Sequence, residues 1–166
     1  MKNAEGEDMR RKDREVADID KILDIVEQAK VLHLGMLDGE YPYVVAMHYG
    51  YEYLDGTLVF FVHSAKDGHK IDLLRENANV CVELDCNVKL ISGGDIACQY
   101  GASYASVMGR GKIEIVEDEQ EKIHGLQLLM QNQAGREFFI SEQMAESVAV
   151  LKIRLDNFSA KARIDF

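Results

Sequence analysis

The sequence lacks several features that mark particular protein classes. Its 166 residues include one proline and three cysteines, and no run approaches the ~18 consecutive apolar residues of a membrane span. The cysteines Cys81, Cys86 and Cys98 form no C-x-x-C pair, so we expect reduced, mostly buried thiols rather than disulfides or a zinc site. The charged N-terminus has no apolar signal-peptide stretch, so a cytoplasmic location is expected.

Positive charge is also scarce. Lysine and arginine total 19 against 29 aspartates and glutamates, which gives a formal charge of −10. A surface that follows nucleic-acid phosphates needs clustered cations, so neither nucleic acid nor a membrane is an expected partner. The same acidic field repels an anionic cofactor at long range. Such a cofactor would need a local pocket of cations and backbone N–H groups.

Two kinds of site motif are missing as well. No G-x-G-x-x-G follows the first predicted strand, so a Rossmann dinucleotide site lacks support. The five histidines include no H-x-x-x-H pair, and no metal site is expected. The sequence shows no conventional nucleophile–base pair and no clear substrate pocket either, so a binding module without turnover stays open as an alternative.

The hydrophobic pattern predicts a loose tail over residues 1–14 and one domain over residues 15–166. Apolar residues at helical spacing predict a helix over Val16–Ala29, with Asp18 as N-cap. The same spacing predicts a second helix after His63. A capping box at Asp118–Glu121 opens a third helix, which ends near Gly135. We expect that helix to bury Ile123, Leu126, Leu129 and Met130.

Strand-like segments lie between these helices. Asp38-Gly39 and Asp55-Gly56 are turn signals that join the first three strands into an antiparallel meander. The only proline, Pro42, is expected just before the second strand. About six short strands with singly inserted helices favour a mainly β, closed antiparallel barrel. The predicted strands are Val31–Leu37, Tyr43–Tyr51, Thr57–His63, Val80–Asp85, Tyr104–Val116, Val148–Leu155 and Phe158–Ile164.

The segment His63–Lys70, which we call the phosphate segment, combines several groups that bind anions. It joins a predicted strand to a predicted helix, where free N–H groups and the helix dipole favour an anion. Ser64 adds a hydroxyl, and Gly68 allows close approach. Lys66, His69 and Lys70 add cations. The alternative is that Ser64 or Asp67 only caps the helix and that the lysines face solvent.

Two neighbouring segments extend this candidate site. Val45–Tyr51 lies on an adjacent predicted strand and offers a surface for a flat ring, although an aromatic-rich barrel strand explains the pattern equally well. Tyr104–Gly111 adds hydroxyls and two glycines, which also suit a bulged edge strand. For His48 taken alone, we expect a structural rather than a catalytic role.

Four segments in this order resemble the nitroimidazole-resistance (Nim-type) family of pyridoxamine 5'-phosphate oxidase-like split barrels. The resemblance runs from about Met9 to the C-terminus, and residues 1–8 precede the usual family start. It implies a six-stranded split β-barrel with a few peripheral helices. It also implies a homodimer with flavin, FMN or FAD, at the subunit interface. The segments are Met9–Glu15, Pro42–Tyr51, Phe61–Lys70 and Tyr104–Gly111.

The resemblance also implies residue roles and an activity. Ser64 and Lys70 would bind the flavin phosphate, and His63 would lie beside the flavin as the tentative catalytic residue. The implied function is an FMN-dependent oxidoreductase that reduces nitroaromatic compounds with a reduced nicotinamide, and the alternative is a non-catalytic module that stores or senses flavin. The other implied cofactor-binding residues are Ala46, Met47, His48, Tyr49, Ala65, Gly68 and Cys98, with Tyr104, Ser106 and Val107 from the partner subunit.

Overall fold

A computed structural model describes residues 11–163, except for the side chain of Asp156. In the described residues, four α-helices lie among eight strands of one antiparallel sheet. The helices are α1 (Ile19–Ala29), α2 (His69–Glu76), α3 (Glu119–Ala134) and α4 (Glu142–Glu146). The strands are β1 (Glu15–Val16), β2 (Val31–Asp38), β3 (Tyr41–His48), β4 (Gly50–Leu54), β5 (Thr57–Ser64), β6 (Asn79–Ile91), β7 (Gly101–Ile115) and β8 (Ala149–Arg163).

One interrupted strand makes this sheet a split barrel. The hydrogen-bonded order is β3-β2-β6-β7-β8-β5-β4, so β3 and β4 form its two ends. They are consecutive in the chain and separated only by Tyr49. The first half of this segment therefore pairs with β2 and the second half with β5, which brings the two ends of the sheet together. With β3 and β4 counted as one strand and the short β1 set aside, the six-stranded barrel prediction is confirmed.

The helix boundaries follow the capping signals in the sequence. The Asp18 carboxylate accepts a hydrogen bond from the Asp20 N–H at 3.0 Å, and that of Asp118 accepts one from the Glu121 N–H at 2.8 Å. Gly135 ends α3 with a φ of 66°. Both predicted N-caps and the predicted end of α3 are therefore confirmed.

The buried face of α3 differs from the prediction. Leu129 is buried as expected, but its companions on that face are Lys122, Gly125 and Asn132. The helix lies so close to the sheet that small and hydrogen-bonding residues occupy the contact. Ile123, Leu126 and Met130 are only partly buried.

Several strand boundaries also differ. Pro42 lies inside β3 rather than before it, which is tolerated because β3 ends the hydrogen-bonded sheet. Val16 belongs to β1, which pairs with β8, rather than to α1. The last two predicted strands form the single strand β8, and its register with β7 shifts between Arg110 and Lys112. That shift confirms a bulge at Gly111.

Little of the predicted tail is described. Lys12–Arg14 form a short 3-10 helix, while residues 1–10 and 164–166 lie outside the described part of the chain. The three cysteines are free, but only Cys86 is buried, whereas Cys81 is half-buried and Cys98 is exposed.

Gly50 is required where α3 crosses β4. A Cβ atom there would lie 2.2 Å from the Leu129 nitrogen and 2.3 Å from the Leu128 carbonyl carbon. We expect Gly50→Ala to lower the free energy of unfolding by at least about 1–3 kcal/mol, because backbone atoms cannot move aside cheaply. Urea denaturation measures this change.

Gly35→Ala is the matched control, since its Cβ would meet nothing closer than the Cys81 carbonyl oxygen at 3.5 Å. That variant should change stability by less than about 1 kcal/mol. Equal effects of the two substitutions would contradict the close approach of α3 to β4.

Candidate functional site

The phosphate segment lies between a strand and a helix, as predicted. Ser64 is the last residue of β5, and α2 begins at His69. The residue that caps α2 is Gly68, with a φ of 125° and no side-chain capping bond. Ser64 and Asp67 are therefore not the N-caps of this helix, although Lys66 is exposed, as that alternative expected.

The start of α2 leaves backbone donors free. The N–H groups of Ile71 and Asp72 both donate to the Gly68 carbonyl, at 2.8 and 3.2 Å. Those of His69 and Lys70 donate to no protein acceptor in the described part of the chain. Ser64 is half-buried, and its hydroxyl makes no hydrogen bond to another described residue. These groups can all donate to an anion.

Lys70 supplies the charge. Its ammonium is half-buried and contacts the Met47 sulfur at 3.7 Å. No carboxylate that the structure describes lies within 4.0 Å of it. Burial lowers the pKa of Lys70, because the charged form loses solvation without a compensating anion. A bound anion would remove that penalty.

The other two cations of the segment already have acidic partners. His69 Nε2 lies 2.7 Å from the Asp38 carboxylate, and its ring meets Tyr43 edge-on at a centroid distance of 5.2 Å. The hydrogen bond that the imidazole donates to the Asp38 carboxylate raises the pKa of His69. Lys66 lies 3.6 Å from Glu146. Lys70 is thus the cation of this segment that remains available to a ligand.

The adjacent strand brings one predicted residue to Lys70. Met47 points inward and is 8% exposed, while Ala46 and His48 face outward. His48 Nδ1 lies 3.2 Å from the Lys30 carbonyl oxygen. The Tyr49 side chain is fully buried, and its hydroxyl donates to the Val26 carbonyl at 2.5 Å. The Tyr49 carbonyl accepts hydrogen bonds from the Asn132 and Gln133 side chains, so the structure does not open this residue to a ligand.

The remaining predicted residues lie farther away. Strand β7 is separated from β5 by β8, so Tyr104, Ser106 and Val107 are not brought to the phosphate segment within one chain. Tyr104 and Ser106 are half-buried, whereas Val107 is buried inside the barrel. Cys98 is exposed in the short 3-10 helix Ala97–Gln99.

His63 and the loop after it face solvent. His63 is exposed near the end of β5, opposite Val150 in β8. Ala65 and Gly68 are also exposed. The structure thus combines the half-buried Lys70 ammonium, which contacts Met47, with the free N–H groups at the start of α2, and Ser64 ends the strand that leads into this segment.

A cleft on the outer face of the barrel was not predicted from the sequence. It has a volume of about 930 Å³ and is bounded by β2, β3, β6, β7 and β8. Its residues come from distant segments that only strand pairing brings together. The lining residues are His33, Gly35, Met36, Leu37, Pro42, Val44, Asn79, Val80, Cys81, Glu83, Arg110, Gly111, Lys112, Arg154 and Asn157.

The cleft and the phosphate segment adjoin the same hairpin. Leu37 and Pro42 line the cleft, and the next residues, Asp38 and Tyr43, hold His69. None of the cleft-lining residues belongs to the phosphate segment. The protein therefore has two separate regions that a ligand can occupy.

An ion pair lies at one end of the cleft. His33 Nδ1 is 3.3 Å from Glu83, and a ligand atom of Asp85 lies within 4.8 Å of both groups. Burial and the nearby charge of Asp85 raise the pKa of Glu83.

A split barrel with free hydrogen-bond donors for a phosphate, placed where a strand leads into a helix, is the architecture of a class of cofactor-binding proteins. The sequence matches the family of pyridoxamine 5'-phosphate oxidase over residues 18–162. The chain therefore belongs to the pyridoxamine 5'-phosphate oxidase family. No match was found among curated proteins.

The solved structure of one relative supports the more specific resemblance to nitroimidazole-resistance proteins. The structure of a candidate 5-nitroimidazole antibiotic resistance protein from Bacteroides thetaiotaomicron is 34% identical and has a TM-score of 0.75. The match covers 89% of this chain and 86% of the relative. This match, together with the family match, confirms the family resemblance drawn from the sequence.

Two more distant structures share the fold. The flavocytochrome Anf3 from Azotobacter vinelandii is 19% identical, with a TM-score of 0.76, and the match covers 98% of this chain and 75% of the other. The FAD and heme binding protein from Mycobacterium smegmatis is 14% identical, with a TM-score of 0.75 and coverages of 92% and 75%.

No helix within the described residues is long and apolar enough to cross a membrane.

The contact between His69 and Asp38 predicts a pH dependence. Since the folded-state pKa of His69 is raised, the contact stabilises the fold below the unfolded pKa of about 6.5. That stabilisation is lost as the pH rises through the folded-state value. In an NMR titration of the imidazole, Asp38→Asn should lower the pKa of His69.

Asp72→Asn serves as the control, because Asp72 raises the pKa of His69 less than Asp38 does. Its effect should be in the same direction and smaller. If Asp38→Asn left the titration unchanged, the contact would not exist in solution.

Proposed function

We propose that this protein binds a flavin, FMN in the first place and FAD as an alternative, with the cofactor phosphate at the start of α2. One observation carries this proposal. Lys70 has a half-buried ammonium without a carboxylate partner in the described chain, and the backbone N–H groups of His69 and Lys70 at the start of the same helix are free. A phosphate satisfies this set because it accepts several charge-assisted hydrogen bonds at once.

Family membership supports the choice of a flavin. The chain belongs to the pyridoxamine 5'-phosphate oxidase family, and two of its fold relatives are a flavocytochrome and a FAD and heme binding protein. We assign Ser64 and Lys70 to the phosphate. The flavin ring would lie along the outer side of β3, where Ala46 and His48 are exposed.

We further propose that the working unit is a homodimer in the cytoplasm. Tyr104 and Ser106 face outward on β7, away from the phosphate segment of their own chain. A second copy can bring them to the flavin, and Cys98 and the backbone of Val107 would approach the same interface, because the Val107 side chain is buried inside the barrel. The acidic charge of −10 is consistent with a small-molecule substrate rather than a nucleic-acid or membrane partner.

The proposed activity is reduction of small, electron-poor compounds, with nitroaromatics as the first candidates. When bound, flavin supplies the electron transfer, and the protein supplies binding, orientation and access. His63 is exposed at the end of β5 and has no described acidic partner, so it is available to hold a proton beside the ligand. The candidate 5-nitroimidazole antibiotic resistance relative supports nitro compounds as the acceptor class.

Replacing Lys70 tests the phosphate assignment. Lys70→Gln removes the ammonium and should weaken FMN binding by roughly ten- to a hundredfold, because a hydrogen bond to a charged group contributes about 1.5–3 kcal/mol. FMN titration, followed by absorbance near ~450 nm, measures the loss.

Lys66→Gln is the matched control. It removes an equal charge from the same segment, but Lys66 is already paired with Glu146. FMN affinity should stay within about threefold of wild type, since an exposed pair contributes little. Equal losses for both variants would indicate a general charge effect rather than a phosphate contact.

Turnover separates the enzyme from a flavin-storing or flavin-sensing module. Steady-state oxidation of NADH or NADPH by the flavin-loaded protein with a nitroaromatic acceptor should proceed, and His63→Gln should slow it while flavin stays bound. A loaded protein that is inert across nitro acceptors would leave the non-catalytic module as the function.

A further inference from the structure

Two arginines lie at the start of β7, and we call Arg14 and Arg163 the arginine pair. Arg14 comes just before β1, and its Nη1 donates a hydrogen bond to the Tyr104 hydroxyl at 3.4 Å. Arg163 is the last residue of β8 and lies directly opposite Tyr104 in the strand register. Both arginines are half-buried. Two segments at opposite ends of the chain thus bring a cation to the same tyrosine.

Gly101, the first residue of β7, makes room for the Arg163 side chain. A Cβ atom at Gly101 would lie 2.3 Å from the Arg163 Nη1 and 2.9 Å from its Cζ. The guanidinium therefore lies against the Gly101 backbone, in space that a side chain at this position would fill. Strand β7 thus contacts one member of the pair at Gly101 and the other at Tyr104.

The arginine pair has little acidic compensation in the described structure. Asp13 is the only described carboxylate within 4.0 Å of Arg14, at 3.9 Å, and it already accepts two hydrogen bonds from Arg11 at 2.8 and 2.6 Å. No described carboxylate lies within 4.0 Å of Arg163. Partly burying a cation is unfavourable without an anion, so both guanidinium groups are available to an external one.

The spacing of these contacts favours two linked phosphates. Gly101 and Tyr104 are three residues apart on β7, which corresponds to roughly 10 Å along the strand. A single phosphate bound to one guanidinium would leave the other without an anion, whereas a diphosphate has oxygens for both. Guanidinium groups suit these oxygens because each presents paired N–H donors.

We propose that the arginine pair binds the diphosphate of a dinucleotide at the flavin site of the partner subunit. This inference rests on the proposed homodimer, in which Tyr104 of one subunit reaches the flavin of the other. The diphosphate belongs either to the flavin itself, as FAD, or to the nicotinamide dinucleotide that reduces it. The phosphate segment keeps its own role in both cases.

Two titrations distinguish these sources. FAD and FMN are compared on the full chain after flavin removal, and ADP-ribose is titrated into the FMN-loaded protein, because it carries the diphosphate of NADH but no hydride. Arg14→Gln with Arg163→Gln should weaken FAD binding by about tenfold or more if the flavin supplies the diphosphate, or ADP-ribose binding by as much if the reductant does. FMN affinity should stay within about threefold of wild type, since FMN has one phosphate.

Gly101→Ala tests the contact without a change of charge. Its Cβ would displace the flexible Arg163 guanidinium, so binding of the same dinucleotide should fall by about threefold or more. Lys21→Gln with Arg136→Gln removes two exposed cations elsewhere and should leave binding unchanged. If this control lost as much affinity as the double variant of the arginine pair, the effect would come from net charge and the proposal would be refuted.

The remaining outcomes separate this inference from the flavin proposal. If wild type bound neither FMN nor FAD, the proposed function would fail, and this inference with it. If wild type bound FMN but neither FAD nor ADP-ribose, or if the double variant bound all three ligands as wild type does, only the arginine pair would lose its role. Sedimentation equilibrium should show that the double variant is still a dimer. Its dissociation would mean that the arginines form ion pairs with the partner subunit, and this would overturn the proposal.

Discussion

The break in the strand at Tyr49 is the constraint on which the architecture depends. Because the backbone changes course there, β3 pairs with β2 and β4 pairs with β5, which brings the two ends of the sheet together. The Tyr49 hydroxyl donates to the Val26 carbonyl of α1, and its own carbonyl accepts from the Asn132 and Gln133 side chains of α3. One residue thus connects two helices to the break. Burial of its ring raises the pKa of the phenol well above its ordinary value, so it stays a neutral donor.

The same break fixes the position of the candidate flavin site. Met47, two residues before Tyr49, directs its side chain inward to the Lys70 ammonium. Burying a cation without an anion is unfavourable, so folding alone gives no reason to keep Lys70 there. The cost is explained if the folded protein works with a phosphate bound to this ammonium. The barrel supplies the position, and α2 supplies the backbone donors.

Much of this fold could be predicted because local signals were strong. Asp-Gly turns, the caps at Asp18 and Asp118 and the glycine at 135 all act within a few residues, and the structure places them as expected. Motif order then predicted the family correctly. The break at Tyr49 was missed because Tyr43–Tyr51 has a continuous strand pattern. The buried polar face of α3 was missed because tight contact with β4, rather than hydrophobic spacing, determines it.

The candidate site was predicted less completely than the fold. Sequence reasoning treated Lys66, His69 and Lys70 as equivalent cations, but Glu146 and Asp38 already engage the first two. Those partners lie far away in the chain, so no local pattern reveals them. The outer cleft depends entirely on the register of five strands. Strand alternation alone places Arg110 and Lys112 on one face of β7, but Arg154 joins them only through the register of β8 with β7.

The most direct test of the account is a crystal structure of the protein with FMN bound. The account predicts the FMN phosphate within hydrogen-bonding distance of the Lys70 ammonium, the Ser64 hydroxyl and the backbone N–H groups of His69 and Lys70. A phosphate bound instead by Arg110, Lys112 and Arg154 would contradict it, because the outer cleft would then be the flavin site.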